Sequence, residues 1–239
     1  MTTPRLPLVG ALLWALTTTT QAHQVWLEQQ AGQVRLHFGE FNENLRETSP
    51  GALDKFTGVP PLQVLTGGQL KQVDGQRGAN AFQYTLSGSA DTLLAQPVYP
   101  LIDRSQRKQP ALLWQPAARW VASLRQPVAP TAALDLVPTG QPGQFKVSFQ
   151  GQPLPKAKVQ MAAPSGWTRE AETGADGLVT FPLPWQGQYV AEVKHSDKSA
   201  GQAQGSPYGE ASHLMTLSFV LSEGMPSPAL PAPATPTAQ

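Results

Sequence analysis

The sequence predicts an all-β protein, on three observations. Short runs of alternating apolar and polar residues recur along the chain, turn-forming residues separate them, and long helical periodicity is almost absent after residue 22. We expect two immunoglobulin-like or Greek-key β-sandwich domains behind a signal peptide. The predicted organisation is a signal peptide at 1–22, an N-terminal domain at 23–130, a C-terminal domain at 131–223 and a disordered Pro/Ala-rich tail at 224–239.

The first 22 residues have the pattern of a secretory signal peptide. Arg5 is their one charged residue, an apolar run extends from Leu6 to Leu16, and small or polar residues fill 17–22. Cleavage after Ala22 would leave His23 as the first residue of the mature chain. We therefore expect a periplasmic or secreted protein.

Composition excludes several function classes. The chain has 17 Lys and Arg against 16 Asp and Glu, and loss of Arg5 with the signal peptide balances the two. No basic run predicts a nucleic-acid partner, and no apolar stretch in the mature chain is long enough to span a membrane. The chain has no cysteine, so it has no disulfide and no thiolate metal site, which suits a bacterial export compartment.

Strands in the N-terminal unit are predicted from residues that share a face. One predicted strand face carries Val25 and Leu27, and another carries Val34, Leu36 and Phe38. Further runs lie at 62–65, 81–86 and 120–124. A change to Pro, Ala and Thr at 126–132 predicts a linker before the second unit, which begins at Leu134.

The second unit has a regular strand and turn pattern. Strands are predicted at 145–149, 158–161, 178–181, 190–195 and 214–221, and Asp176-Gly177 supplies a hairpin turn signal. This spacing is typical of a small sandwich of about seven strands.

His23 is the first candidate metal ligand. As the mature N-terminal residue, it would offer an α-amino group, with a reference pKa of about 7.7–8.0, and a ring nitrogen to the same ion. The alternating residues after it predict a strand that would hold this chelate rigidly.

His195 and His213 are the second and third candidates. His195 shares a predicted strand face with Tyr189, Ala191 and Val193, and His213 begins the face that continues through Met215 to Leu221. If the two strands pair antiparallel around the loop 196–212, both imidazoles stand together at the rim of a core. The alternative is that they are hydrogen-bonded rim residues without metal.

Other residues are weaker candidates. Alternation places His37 opposite the Val34 face, which predicts a solvent-side position, and Met215 is expected in the core. The acidic residues Glu40, Glu43 and Glu47 are expected on a solvated surface. The five tryptophans of the predicted mature chain are expected to pack in the core and at its rim.

Several patches together resemble the DUF4198 family of exported bacterial proteins. The opening Ala22-His23-Gln24-Val25-Trp26-Leu27-Glu28 is similar to that family's A-H-x-x-W-L-E, and Phe38-Gly39-Glu40 with Glu43 is similar to the pattern that follows. The C-terminal patch with His195, Gly205-Ser206-Pro207-Tyr208 and His213 also resembles it.

The resemblance implies an exported all-β protein connected with transition metals, since some relatives are described as periplasmic components of nickel or cobalt uptake. It implies His23 as the N-terminal ligand and His195 with His213 as the C-terminal pair. The expected partners are the metal ion and, in an uptake role, a membrane metal transporter.

We therefore predict a periplasmic protein that binds one divalent transition metal for capture, delivery or uptake, and not an enzyme. Nitrogen donors suit Ni, Co, Cu or Zn. One alternative is a copper-dependent oxidative enzyme that uses the N-terminal histidine chelate. The other is a metal-free exported binding or adhesion module.

Overall fold

A computed structural model describes residues 23–236, and the regular secondary structure of this part of the chain is almost entirely β-strand. Within that range there is no α-helix, and three 3-10 turns lie at Phe41–Glu43, Ala52–Lys55 and Ser105–Arg107. The all-β prediction is therefore confirmed. The predicted signal peptide at 1–22 lies outside the described residues, as do the last three residues. No helix of the described part has the length and apolar character to cross a membrane.

Nine strands precede the predicted linker. They are β1 (Gln24–Gln30), β2 (Gln33–Glu40), β3 (Leu45–Arg46), β4 (Leu62–Thr66), β5 (Gln69–Val73), β6 (Gln76–Arg77), β7 (Phe82–Thr85), β8 (Thr92–Ala95) and β9 (Leu112–Val121).

Ten strands follow the linker. They are β10 (Leu134–Pro138), β11 (Gln144–Phe149), β12 (Gln152–Pro153), β13 (Lys158–Ala162), β14 (Thr168–Glu172), β15 (Leu178–Thr180), β16 (Gly187–Asp197), β17 (Gly201–Ala203), β18 (Ser206–Tyr208) and β19 (Glu210–Leu221).

An eight-stranded sheet forms the middle of the molecule, in the order β14-β13-β16-β19-β9-β8-β4-β5. A second sheet, β1-β2-β7-β6 with β3 attached to β2, covers one face of it. A third sheet, β10-β11-β12 with β15 attached to β11, covers the other face. The small β17-β18 hairpin lies in the loop between β16 and β19.

Strands of both predicted units meet in the central sheet. Strand β9 pairs in parallel with β19, so residues from the two sides of the linker share one hydrogen-bonded ladder. The change of composition at 126–132 falls between β9 and β10, as expected for a connection.

Two cores lie on opposite faces of the central sheet because side chains alternate along each strand. On β19, Leu214 packs with Leu27 and Leu36 of the first sheet. On the opposite face of β19, Met215 and Leu217 pack with Leu136 and Val147 of the third sheet. The predicted shared face of His213, Met215 and Leu217 is thus confirmed.

The proline-rich segment after β19 contacts the body of the protein. The Met225 amide donates to the Pro184 carbonyl at 2.9 Å, and the Gln186 amide donates to the Met225 carbonyl at 2.8 Å. Further on, Asn44 Nδ2 donates to the Pro231 carbonyl at 3.1 Å. The segment predicted as a free tail is therefore hydrogen-bonded at two places among its described residues.

A buried ion pair joins β9 to β10 across the linker. Arg119 Nε and Nη2 donate to the two carboxylate oxygens of Asp135 at 3.0 and 2.7 Å, and both side chains are almost inaccessible to water. The amides of Thr131 and Ala132 also donate to Asp135. The linker is thus fixed by the same carboxylate that neutralises Arg119.

We predict that Asp135→Ala lowers the free energy of unfolding by about 3–5 kcal/mol, because it leaves the Arg119 charge buried without a partner. Urea unfolding followed by circular dichroism measures this change. The control is Glu170→Ala, which breaks the exposed pair with Lys158 and should cost less than about 1 kcal/mol. Equal losses in the two variants would contradict the structural role of the buried pair.

Candidate metal centre

His23 stands at the open end of the β1-β2 hairpin. Residues Ala31 and Gly32, both with positive φ, form the two-residue turn that joins the strands. That turn fixes the pairing from Gln30 with Gln33 to Gln24 with Gly39. Extending the register by one residue places His23 opposite Glu40.

Two carboxylates flank the His23 ring. Its Nε2 lies 2.5 Å from Glu47 Oε1, a hydrogen bond, and its Nδ1 lies 3.7 Å from Glu40 Oε1. The ring also packs on Phe38, with 5.0 Å between centroids. When Nε2 donates to Glu47, Nδ1 of the neutral ring carries a lone pair that can bind a metal ion.

Glu40 is a buried carboxylate that lacks a hydrogen-bond partner at one oxygen. Its side chain is 8% exposed, and no hydrogen bond reaches Oε1. Burial raises the pKa of Glu40, the nearby Glu43 charge raises it further, and His23 opposes the rise. A buried carboxylate oxygen without a hydrogen bond is costly, and a bound cation is one way to offset that cost.

Gly39 allows the chain to bring both carboxylates to His23. Its φ of +143° is one that side-chain-bearing residues rarely adopt, and a Cβ there would lie 2.3 Å from the Leu45 carbonyl oxygen. This close approach lets β3 pair with the end of β2, and the Glu47 amide then donates to the Phe38 carbonyl at 2.8 Å.

His195 and His213 meet as the sequence predicts. They are directly opposite in the antiparallel β16-β19 pair, and both rings contact Phe149, with centroids 4.3 and 5.0 Å away. His213 is buried, and that burial lowers the pKa of its imidazole. The neighbouring His195 lowers it further, while Asp197 opposes the shift.

The structure does not bring His23 to this histidine pair. Strand β1 does lie against β19, since Thr216 Oγ1 donates to the Val25 carbonyl at 2.7 Å. However, Thr216 and His213 are three positions apart and therefore point to opposite faces of the sheet. His23 shares a cavity with Ser212 and Leu214, the neighbours of His213 on the other face.

Side chains alone do not form a metal-ligand group in the part of the chain that the structure describes. Among residues 23–236, no cluster of three or more His, Cys, Asp and Glu is arranged to hold a metal ion. A metal at His23 would therefore need a donor other than these side chains.

The sequence prediction was wrong about the environment of three residues near this site. Glu40 and Glu47 were expected on a solvated surface, and His37 on the solvent side, but all three are buried. Hairpin register was the missing signal, because it sets Glu40 opposite His23. His37 is buried because it stacks on Trp26. Trp26 in turn packs with Phe41 of the 41–43 turn and with Ala162 and Val190 of the central sheet.

The rest of the opening motif has a structural role. Trp26 Nε1 donates to Glu28 at 3.0 Å, the Trp26 ring stacks on His37 at 5.2 Å, and Arg46 pairs with Glu28 at 2.7 Å. Burial alone would raise the pKa of Glu28, but His37, Trp26 and Arg46 together hold it well below its usual range. These contacts hold the hairpin on which His23 sits.

Comparison with known proteins supports the family resemblance in the second half of the chain. Residues 127–197 match the family model DUF4198, described as a domain of unknown function. The matched segment covers β10 to β16 and ends just after His195. No curated protein matches the chain.

We predict that stability falls as pH drops below about 6.5, because the buried His213 binds a proton more weakly in the folded chain than in the unfolded chain. The unfolded state then takes up more protons, so the stabilisation present above pH 6.5 is lost on acidification. Urea unfolding at a series of pH values measures this slope, and His213→Gln should reduce it.

The companion variant is His195→Gln, which should raise the pKa of His213 because it removes the neighbouring positive charge. Histidine NMR titration reports that pKa directly. An unchanged His213 pKa in His195→Gln would show that the two rings do not interact electrostatically.

Proposed function

We propose that the processed protein is an exported transition-metal-binding protein whose ion is held at His23. The donors would be the α-amino nitrogen and Nδ1 of His23 and a carboxylate oxygen of Glu40. The observation that carries the proposal is the buried Glu40 Oε1, which lacks a hydrogen-bond partner and lies 3.7 Å from Nδ1.

The spacing of these two atoms suits a shared ion. Nitrogen and oxygen ligands bind zinc-like ions at about 2.0–2.2 Å, so two donors on one ion lie roughly 3–4 Å apart. The separation of 3.7 Å falls in this range. The α-amine completes the set, because it forms a six-membered chelate ring with Nδ1 of the same residue.

Glu47 would orient the histidine without binding the ion. Histidine ligands commonly donate their second ring nitrogen to a carboxylate, which fixes the tautomer and makes the first nitrogen more basic. The 2.5 Å contact between Nε2 and Glu47 has this form. Glu47 is 4% exposed, so the contact is shielded from water.

Two nitrogens and one oxygen suit Cu(II), Ni(II), Co(II) or Zn(II). The general affinity order favours copper, whereas the family resemblance favours nickel or cobalt uptake. The role we propose is capture and delivery, with a membrane metal transporter as receiver. His195 and His213 are not part of this ligand set.

The proposal depends on cleavage between Ala22 and His23, which frees the α-amine. In protein exported and processed by a bacterial host, intact mass spectrometry gives the cleavage site, and calorimetry with each of the four ions gives the affinity. We expect one ion per chain, and weaker binding below about pH 6 as the donors take up protons.

We predict that His23→Ala abolishes binding at this site and that Glu40→Gln weakens it at least tenfold, since each removes a donor. Glu47→Gln should weaken binding by about 10–100-fold through the lost orienting contact. His195→Gln with His213→Gln is the matched control and should leave the affinity unchanged.

A Gly/Ser extension in front of His23 should also weaken binding, because it moves the α-amine away. Unaltered affinity in His23→Ala, or loss only in the His195 and His213 double variant, would refute this ligand set. A processed protein that binds none of the four ions would favour a metal-free module. Copper-dependent polysaccharide oxidation that His23→Ala abolishes would favour the enzyme alternative.

A further inference from the structure

A cavity of about 320 Å³ opens beside His23, between the first sheet and the central sheet. Its size is at the lower end of the range for small-molecule sites, about 300–1,000 Å³. His23 and Phe38 contribute from the first sheet, Trp114 from β9, and Lys194 from β16. The cavity therefore lies between layers, where ligand sites are commonly found.

Aromatic rings make up one wall of the cavity. Tyr99 and Trp114 meet edge to face with centroids 5.0 Å apart, and Phe38 lies 6.0 Å from Trp114. Phe56 packs behind them, at 5.0 Å from Phe38 and 5.2 Å from Tyr99. These mutual contacts hold a rigid apolar surface suited to a flat ring.

Lysine side chains supply the charge at the cavity. Lys55 and Lys194 both line it, and no Asp or Glu is among its lining residues in the described part of the chain. Glu192 pairs with Lys194 at 2.6 Å and neutralises part of its charge. Glu40 and Glu47 lie behind His23, so the groups of fixed charge on the lining itself are the two amines, which a ligand carboxylate could approach from the cavity.

We propose that this cavity binds a small aromatic carboxylate, with its ring against Tyr99 and Trp114 and its carboxylate toward Lys194. An aromatic ring can pack on the aromatic wall, and a carboxylate carries the charge opposite to that of the amines. The site adjoins the proposed metal centre, but Tyr99, Trp114 and Lys194 are not among the proposed metal donors.

The test is a titration of the processed, metal-free protein with 4-fluorobenzoate, followed by fluorine NMR. We expect saturable binding at micromolar to millimolar concentration. Ala52→Phe, which places a ring in the cavity, should weaken binding at least tenfold, and Lys194→Gln should weaken it several-fold. Lys158→Gln is the matched control on an exposed lysine elsewhere and should have no effect.

Compounds that differ in one feature test the chemistry without altering the fold. 4-Fluorobenzylamine keeps the ring but reverses the charge, and we expect it not to compete with 4-fluorobenzoate. Equal binding of the amine, no saturable binding of the carboxylate, or full binding in Ala52→Phe would overturn the proposal.

Glu40→Gln separates this proposal from the metal proposal, because Glu40 does not line the cavity. It should lose metal affinity while keeping that for 4-fluorobenzoate. Loss of carboxylate binding in a chain that still binds metal would defeat the cavity proposal alone. Carboxylate binding by a chain that binds none of the four ions would defeat the metal proposal alone.

Discussion

All three layers of the protein depend on strand β19, whose side chains point alternately to the two faces of the central sheet. The strand spans Glu210–Leu221 and is hydrogen-bonded to β16 on one side and β9 on the other. Leu214 and Thr216 contact the first sheet, whereas Met215 and Leu217 contact the third. A shift of one residue in its register would exchange these two sets, so the phase of this strand is strongly determined.

The same alternation separates the histidines into two environments. Period-2 reasoning was enough to pair His195 with His213, because both end apolar strand faces and the register confirms it. Period-2 reasoning could not place His23, because alternation along a strand does not tell which face of β19 is covered by β1. That depends on how the sheets stack. The hydrogen bond from Thr216 to the Val25 carbonyl defines the covered face, because it joins β19 to β1, two strands that are far apart in sequence.

The all-β class was predictable from local pattern, and the parallel pairing of β9 with β19 was not, because nothing in either strand encodes a partner about a hundred residues away. At the candidate site, His23 was predictable from the cleavage pattern. Glu40 could have been found by counting equal numbers of residues outward from the Ala31-Gly32 turn along both strands. Glu47 could not, because its position depends on the close approach of Gly39 to the Leu45 carbonyl. Polar residues at or near a loop are normally solvated, whereas Glu40 and Glu47 are buried here.

The position of the β1-β2 hairpin in the sequence has a consequence for the order in which the proposed sites form during synthesis. His23, Glu40 and Glu47 lie between residues 23 and 47, so the two proposed ligand residues and the orienting carboxylate belong to one early segment. The walls contributed by Lys194, Ser212 and Leu214 are synthesised much later. The segment with the proposed donors is therefore made first, but the cavity beside it is complete only when β19 has been added. The proposed metal site therefore depends on one continuous early segment, whereas the proposed ligand cavity depends on residues from both ends of the chain.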